Sequence, residues 1–192
     1  GGRLQAPTSK LAAACAPLAP MNFNHMWLLN QPDVHTLSFG PAKPDEIDAN
    51  LVAQDYEGTG KQRELFDRVL EQVESAYRTQ LGDDFCTVCN QCLPCPENIN
   101  IPGVLNWRQM HKAFEMTDYA KGRYEKVGSG GAWILGVKGD RCTKCGDCLP
   151  RCPERLDIPQ LLWHAHQELE TGLVSGPAWE HEGDLLKQDL KN

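Results

Sequence analysis

Apolar residues recur along this chain at spacings that predict mostly helices. Over Met21–Asn30, Phe23, Met26 and Trp27 fall on one helix face. Gln31-Pro32-Asp33 ends that helix. Val34–Phe39 follows as a short β-branched and aromatic run and predicts a buried strand, closed by Gly40-Pro41. Pro44 then stands where a first helical residue would, with Asp45 and Glu46 at the positive end of the new helix. Residues 61–81 predict an amphipathic helix with Leu65, Phe66, Val69, Leu70, Val73 and Tyr77 on one face. Glu64 and Arg68 can pair four apart on the other. This helix reads as a packing element that joins two modules.

Beyond it the chain repeats itself. Cys95-Pro96-Glu97-Asn98-Ile99-Asn100-Ile101-Pro102 matches Cys152-Pro153-Glu154-Arg155-Leu156-Asp157-Ile158-Pro159, with five of eight positions identical. Each copy runs into an apolar helical stretch, with Val104, Leu105 and Phe114 in the first and Leu161, Leu162, Trp163 and Leu169 in the second. A duplicated unit implies a pseudo-twofold domain with one site in each half.

The repeat brings cysteine into the picture. Eight of the nine cysteines lie in two blocks, Cys86/Cys89/Cys92/Cys95 and Cys142/Cys145/Cys148/Cys152, and Cys15 stands apart. Three cysteines at every third position can wrap three corners of one cube, and the fourth ligand must then come from elsewhere. In two-cluster ferredoxins the last cysteine of each run serves the other cluster and a Pro follows it. The second block matches that spacing in full; the first has its last gap shorter by one residue. The expectation is two [4Fe–4S] clusters with crossed ligation: Cys86, Cys89, Cys92 and Cys152 for one, Cys142, Cys145, Cys148 and Cys95 for the other. Zinc sites usually pair cysteines two and two, which this pattern does not do. Disulfides fit worse, because tight grouping suits metal ligation and a reducing compartment. Cys15, in an apolar context, reads as a small core residue, and His164 and His166 as ordinary residues.

Charge narrows the partners. A net charge of −7 with no Lys/Arg-rich stretch argues against nucleic acid. No apolar run approaches the ~20 residues that span a bilayer, and no secretory signal is visible. A cytoplasmic protein is expected. Lys138, Arg141, Lys144 and Arg151 surround the second motif, while Asp83 and Asp84 precede the first. Positive charge favours the reduced state, so the second cluster is expected to have the higher potential.

The long insert between the blocks resembles that of the α-helical ferredoxins rather than small βαβ-type ones. The N-terminal order of helix, short strand, Gly40-Pro41-Ala42-Lys43-Pro44-Asp45-Glu46-Ile47 and Asn50-Leu51 resembles the last βα unit of an aldo/keto reductase barrel. Together, roughly residues 1–172 are similar to aldo/keto reductase-like oxidoreductases with a C-terminal ferredoxin domain. The resemblance implies a mostly α fold: residues 1–55 as a barrel remnant, 56–82 as a linker helix, 83–172 as the dicluster domain and 173–192 as a polar tail. It implies that the barrel lies upstream, which would account for a chain that starts at Gly1 without Met. The family's catalytic tetrad comes from earlier strands, so no catalytic residue is placed here. It implies NAD(P) in the full-length protein, with Asn50 at the position of a nucleotide-contacting Asn. Glu46 departs from the family's Arg, and a carboxylate there would repel a 2′-phosphate. The expected partner is the upstream barrel or a separate redox protein. A free-standing ferredoxin-like carrier is the alternative, and clusters acting as structural staples or sensors a third reading.

Overall fold

The computed structural model describes residues 4, 6–51, 54–129 and 134–171. Among them the helices are α1 (Ser9–Cys15), α2 (Pro20–Leu29), α3 (Pro44–Leu51), α4 (Gly60–Leu81), α5 (Ile101–Phe114), α6 (Thr117–Tyr124) and α7 (Ile158–Leu169). The chain divides into two compact units, Gly1–Thr79 and Gln80–Asn192. The polar tail expected at 173–192 lies outside the described residues. Among the described residues no helix is long and apolar enough to cross a membrane.

The first unit holds α1–α3 and nearly all of α4. Thr8 caps α1, its hydroxyl accepting from the Leu11 N–H at 3.2 Å. Phe66 and Val69 of α4 are buried, and Phe66 stacks on Phe23 of α2 with ring centroids 5.6 Å apart. Gln72 donates to the carbonyls of Ala14 and Ala16, at 3.2 and 2.8 Å, and so satisfies acceptors at the end of α1. Cys15 is buried, as its apolar context predicts, and burial pushes its thiol up to about 11. The ion pair on the exposed face of α4 joins Arg63 to Asp67 at 2.8 Å, rather than the expected Glu64 and Arg68.

The strand expected over Val34–Phe39 is not formed. The segment has no regular structure and is largely exposed, with Phe39 at 45%. A strand is held by ladder bonds to a neighbour, and among the described residues this unit offers none. α3 does begin at Pro44. The Glu46 carboxylate reaches back to accept from the Ala42 N–H at 2.7 Å, which makes it a cap for a helix start.

The second unit is built on the repeat. Asn100 caps α5 by accepting from Gly103 N–H at 3.1 Å, and Asp157 caps α7 by accepting from Gln160 N–H at 3.2 Å. Pro102 and Pro159 sit in the first turn of each helix, where no intrahelical donor is needed. The two helices bury matching side chains, Ile101 with Ile158, Val104 with Leu161 and Leu105 with Leu162, and α6 adds the fully buried Tyr124. Each such aliphatic residue contributes roughly 1.5–3 kcal/mol by leaving water. Arg108, buried on α5, lies 3.2 Å from Asp84 and 3.1 Å from Glu168, tying the approach to the first cysteine block to both helices.

The connection from α6 back to the second block closes on the first copy. Ile99 and Val137 form a parallel bridge, with Val137 N–H donating to Asn98 O at 3.0 Å. Gly136, at φ +94°, lies so close that a Cβ would meet Asn98 O at 2.8 Å. Gly139 is equally confined: a Cβ there would stand 2.5 Å from the Leu162 carbonyl oxygen of α7.

Candidate metal centre

Each cysteine block follows a short 3-10 turn, Gly82–Asp84 before the first and Gly139–Arg141 before the second. The loop then takes two left-handed residues. In the first these are Val88 and Asn90, at φ 55° and 63°; in the second they are Lys144 and Gly146, at φ 56° and 87°. Such turns curl the backbone so that cysteines three apart face one side. After the fourth cysteine the copies match again. Asn98 and Arg155 are both left-handed, and their N–H groups donate to the Cys95 and Cys152 carbonyls at 2.9 and 3.2 Å.

The thiols line two cavities, each enclosing about 330 Å³ including its open mouth. Cys86, Cys89, Cys92 and Cys152 line one. Cys95, Cys142, Cys145 and Cys148 line the other. The last cysteine of each block thus lines the cavity of the other. Among the described residues no three His, Cys, Asp or Glu side chains converge as they would on a single metal ion. The four thiols of each set stand around a space rather than at a point, and sulfur supplies most of the potential donors, with one carboxylate in each lining, Glu154 and Glu97. That donor set suits an iron–sulfur cluster.

Burial follows the repeat as well. Cys92, Cys142 and Cys148 are buried, Cys86, Cys95 and Cys152 half-buried, and Cys89 and Cys145 exposed. Burial raises the Cys86 and Cys142 thiols and pushes Cys92 and Cys148 up to about 11. Without metal these thiols hold their protons at neutral pH, so ligation must release them. The Val88 N–H donates to the Cys86 sulfur at 3.4 Å.

The two linings differ in charge. The first contains Val88 and Glu154 where the second has Lys144 and Glu97, and Arg151 is added to the second. Arg151 also donates to the Pro94 carbonyl at 2.9 Å, bracing one block against the other. Lys138 and Arg141 contribute less than their positions in the sequence imply. Lys138 pairs with Glu170 at 2.5 Å, and Arg141 lies 4.0 Å from Asp140.

Asn50 belongs to the first unit. It is buried on α3, and its side-chain amide donates to the Glu46 carbonyl of the same helix.

Several residues escaped the sequence reading. Gln109, buried on α5, accepts from the Cys86 N–H. His166, read as ordinary, is buried on α7, with its Nδ1 2.8 Å from the Tyr124 hydroxyl, which accepts from the Gly139 N–H at 3.1 Å. His164 sits beside Gln160 at 2.9 Å. The repeat offered a signal: offset by the same interval that aligns the two Cys-Pro copies, Gly82-Asp83 falls on Gly139-Asp140 and Gln109 on His166.

Four cysteines around each cavity, in duplicated, interlocked loops, suit an iron–sulfur protein segment. Residues 85–156 match the family model of the 4Fe-4S dicluster domain, which supports a ferredoxin-type domain there. No curated protein and no solved structure matches the chain.

Proposed function

We propose that this chain relays electrons through two [4Fe–4S] clusters, one held by Cys86, Cys89, Cys92 and Cys152, the other by Cys95, Cys142, Cys145 and Cys148. The observation that carries this reading is the sorting of eight thiols into two four-thiol cavities, with the last cysteine of each block exchanged. A cluster so bound supplies one-electron chemistry. The chain anchors it, and Leu105 and Ile158 at one cavity, Ile101 and Leu162 at the other, keep water from its inner side. The exposed Cys89 and Cys145 mark the edges through which electrons reach a partner.

The partner we propose is an aldo/keto reductase-like barrel, fused or separate, which makes this the electron-transfer region of an oxidoreductase. That context is supported by the sequence resemblance and by a helix that begins at Pro44 as the barrel's last helix would. NAD(P) would belong to the barrel. The Asn50 amide is already engaged by its own helix, so its nucleotide role rests on the resemblance alone. A second reading, a free-standing carrier, is favoured by one observation: the first unit is compact and packs its own core around Phe66 and Val69.

Anaerobic iron and sulfide analysis with EPR tests the relay. The expected result is about eight irons per chain, with sulfide to match and reversible reduction. Zinc without sulfide would overturn the reading, and clusters that cannot be reduced reversibly would favour structural staples instead.

A further inference from the structure

Gln109 lies on α5 at 3% exposure, and its side chain meets the backbone N–H of Cys86. A backbone N–H can only donate, so the atom it meets is the amide oxygen. Cys86 is the first thiol of the first cavity. The bond therefore stands one step from the site.

The other half handles the same place differently. His166 occupies the matching position on α7, but it turns to the Tyr124 hydroxyl, 2.8 Å away. The Cys142 N–H is held instead by its own turn, donating to Gly139 O at 3.2 Å. In the first half the corresponding turn bond comes from Phe85, which donates to Gly82 O at 3.3 Å and leaves the Cys86 N–H to Gln109. The duplicated loops thus differ in who holds the amide of the leading cysteine.

We propose that Gln109 is a positioning residue that sets the potential of the first cluster apart from that of the second. The proposal rests on the two-cluster reading. Negative charge beside a cluster opposes the extra negative charge of the reduced state and lowers the potential. Both leading amides are held by carbonyl oxygens, but Gln109 brings a side-chain carbonyl oxygen to the first site, where the matching His166 of the second half turns to Tyr124. That partial negative charge holds the first potential down.

Potentiometric titration of the full chain, read by EPR, tests this, with Cys89→Ser and Cys145→Ser chains assigning the two signals. Gln109→Met keeps the bulk and loses the acceptor. Its first midpoint should rise by about a tenfold change in the reduced-to-oxidised ratio, ~59 mV for one electron. Gln109→Glu keeps an acceptor and adds charge, and at mildly alkaline pH its first midpoint should fall. The second midpoint should stay put in both. A first midpoint that is unmoved, that moves in the same direction in both variants, or that moves together with the second overturns the proposal. If Gln109→Met loses its iron, the fall in Gln109→Glu decides alone. A wild-type chain without iron and sulfide would sink the two-cluster reading and this proposal with it; intact clusters with an unmoved first midpoint sink the proposal only.

Discussion

Val88 sits at φ 55° between the first two cysteines. A left-handed backbone costs an L-residue roughly 1–2 kcal/mol, and a β-branched side chain is among the least suited to it. Neighbouring left-handed positions, Asn90 and Asn98, carry the residue type that tolerates this conformation. Val88→Asn should therefore stabilise the domain by about 1 kcal/mol, raising the anaerobic melting temperature by a few degrees; a lower melting temperature would mean that Val88 packing outweighs the strain. Its counterpart Lys144 carries, with Arg151, the charge difference between the cavities. Lys144→Val should lower the second midpoint by on the order of tens of millivolts, the scale of a partly screened charge, and leave the first unchanged. No shift would refute the charge argument, and a second midpoint that lies below the first in the wild type would refute the expected order. The gathering of eight cysteines around two cavities was legible in the sequence because a shared site of this kind uses one side-chain type at fixed spacing. Gln109 was not, because its role comes from a tertiary contact with a backbone atom.

At the scale of elements, α2, α4, α5 and α7 announce themselves by apolar period, and α3 by Pro44 and its acidic first turn. α1 and α6 do not. α1 is a short Ala-rich helix that buries only Leu11 and Cys15, and α6 buries only Ala120 and Tyr124, too little to set a period. The segment 34–39 carries strand composition, yet composition forms no strand where no neighbour supplies the ladder. α7 also carries a pH dependence. Burial lowers the His166 pKa below 6.5, against the opposing pull of Asp140 and Glu170. The unfolded chain then binds this proton more readily than the folded one, so the contribution is intact above about 6.5 and is lost as pH falls from there through the lowered folded pKa. His166→Gln, which can still bond the Tyr124 hydroxyl, should flatten the acid side of the stability profile. Urea midpoints of both chains across that window check it; parallel profiles would place the acid sensitivity elsewhere.

For the molecule as a whole, the exchange of Cys95 and Cys152 makes the two halves of the second unit interdependent. Cys152 is a half-buried residue just ahead of α7, yet it completes the cavity of the block that precedes α5. The first half alone would supply three of the four thiols of its own cavity and one of the other's. Loop-local ligation and crossed ligation therefore predict opposite outcomes for the same substitution. With crossing, Cys152→Ser should perturb the EPR signal that Cys89→Ser perturbs and spare the signal lost in Cys145→Ser; Cys95→Ser should do the reverse. If each serine variant instead disturbs the signal of its own block, the cavities do not describe the ligation and the halves are independent sites. The crossed result has a further consequence for assembly. Closing either site requires the chain between the blocks to fold back, and the Ile99–Val137 bridge and the close approach of Gly139 to α7 hold it there. Replacing Gly139 with a larger residue should then reduce iron content at both sites together, because it disturbs the return of the chain that each cavity needs.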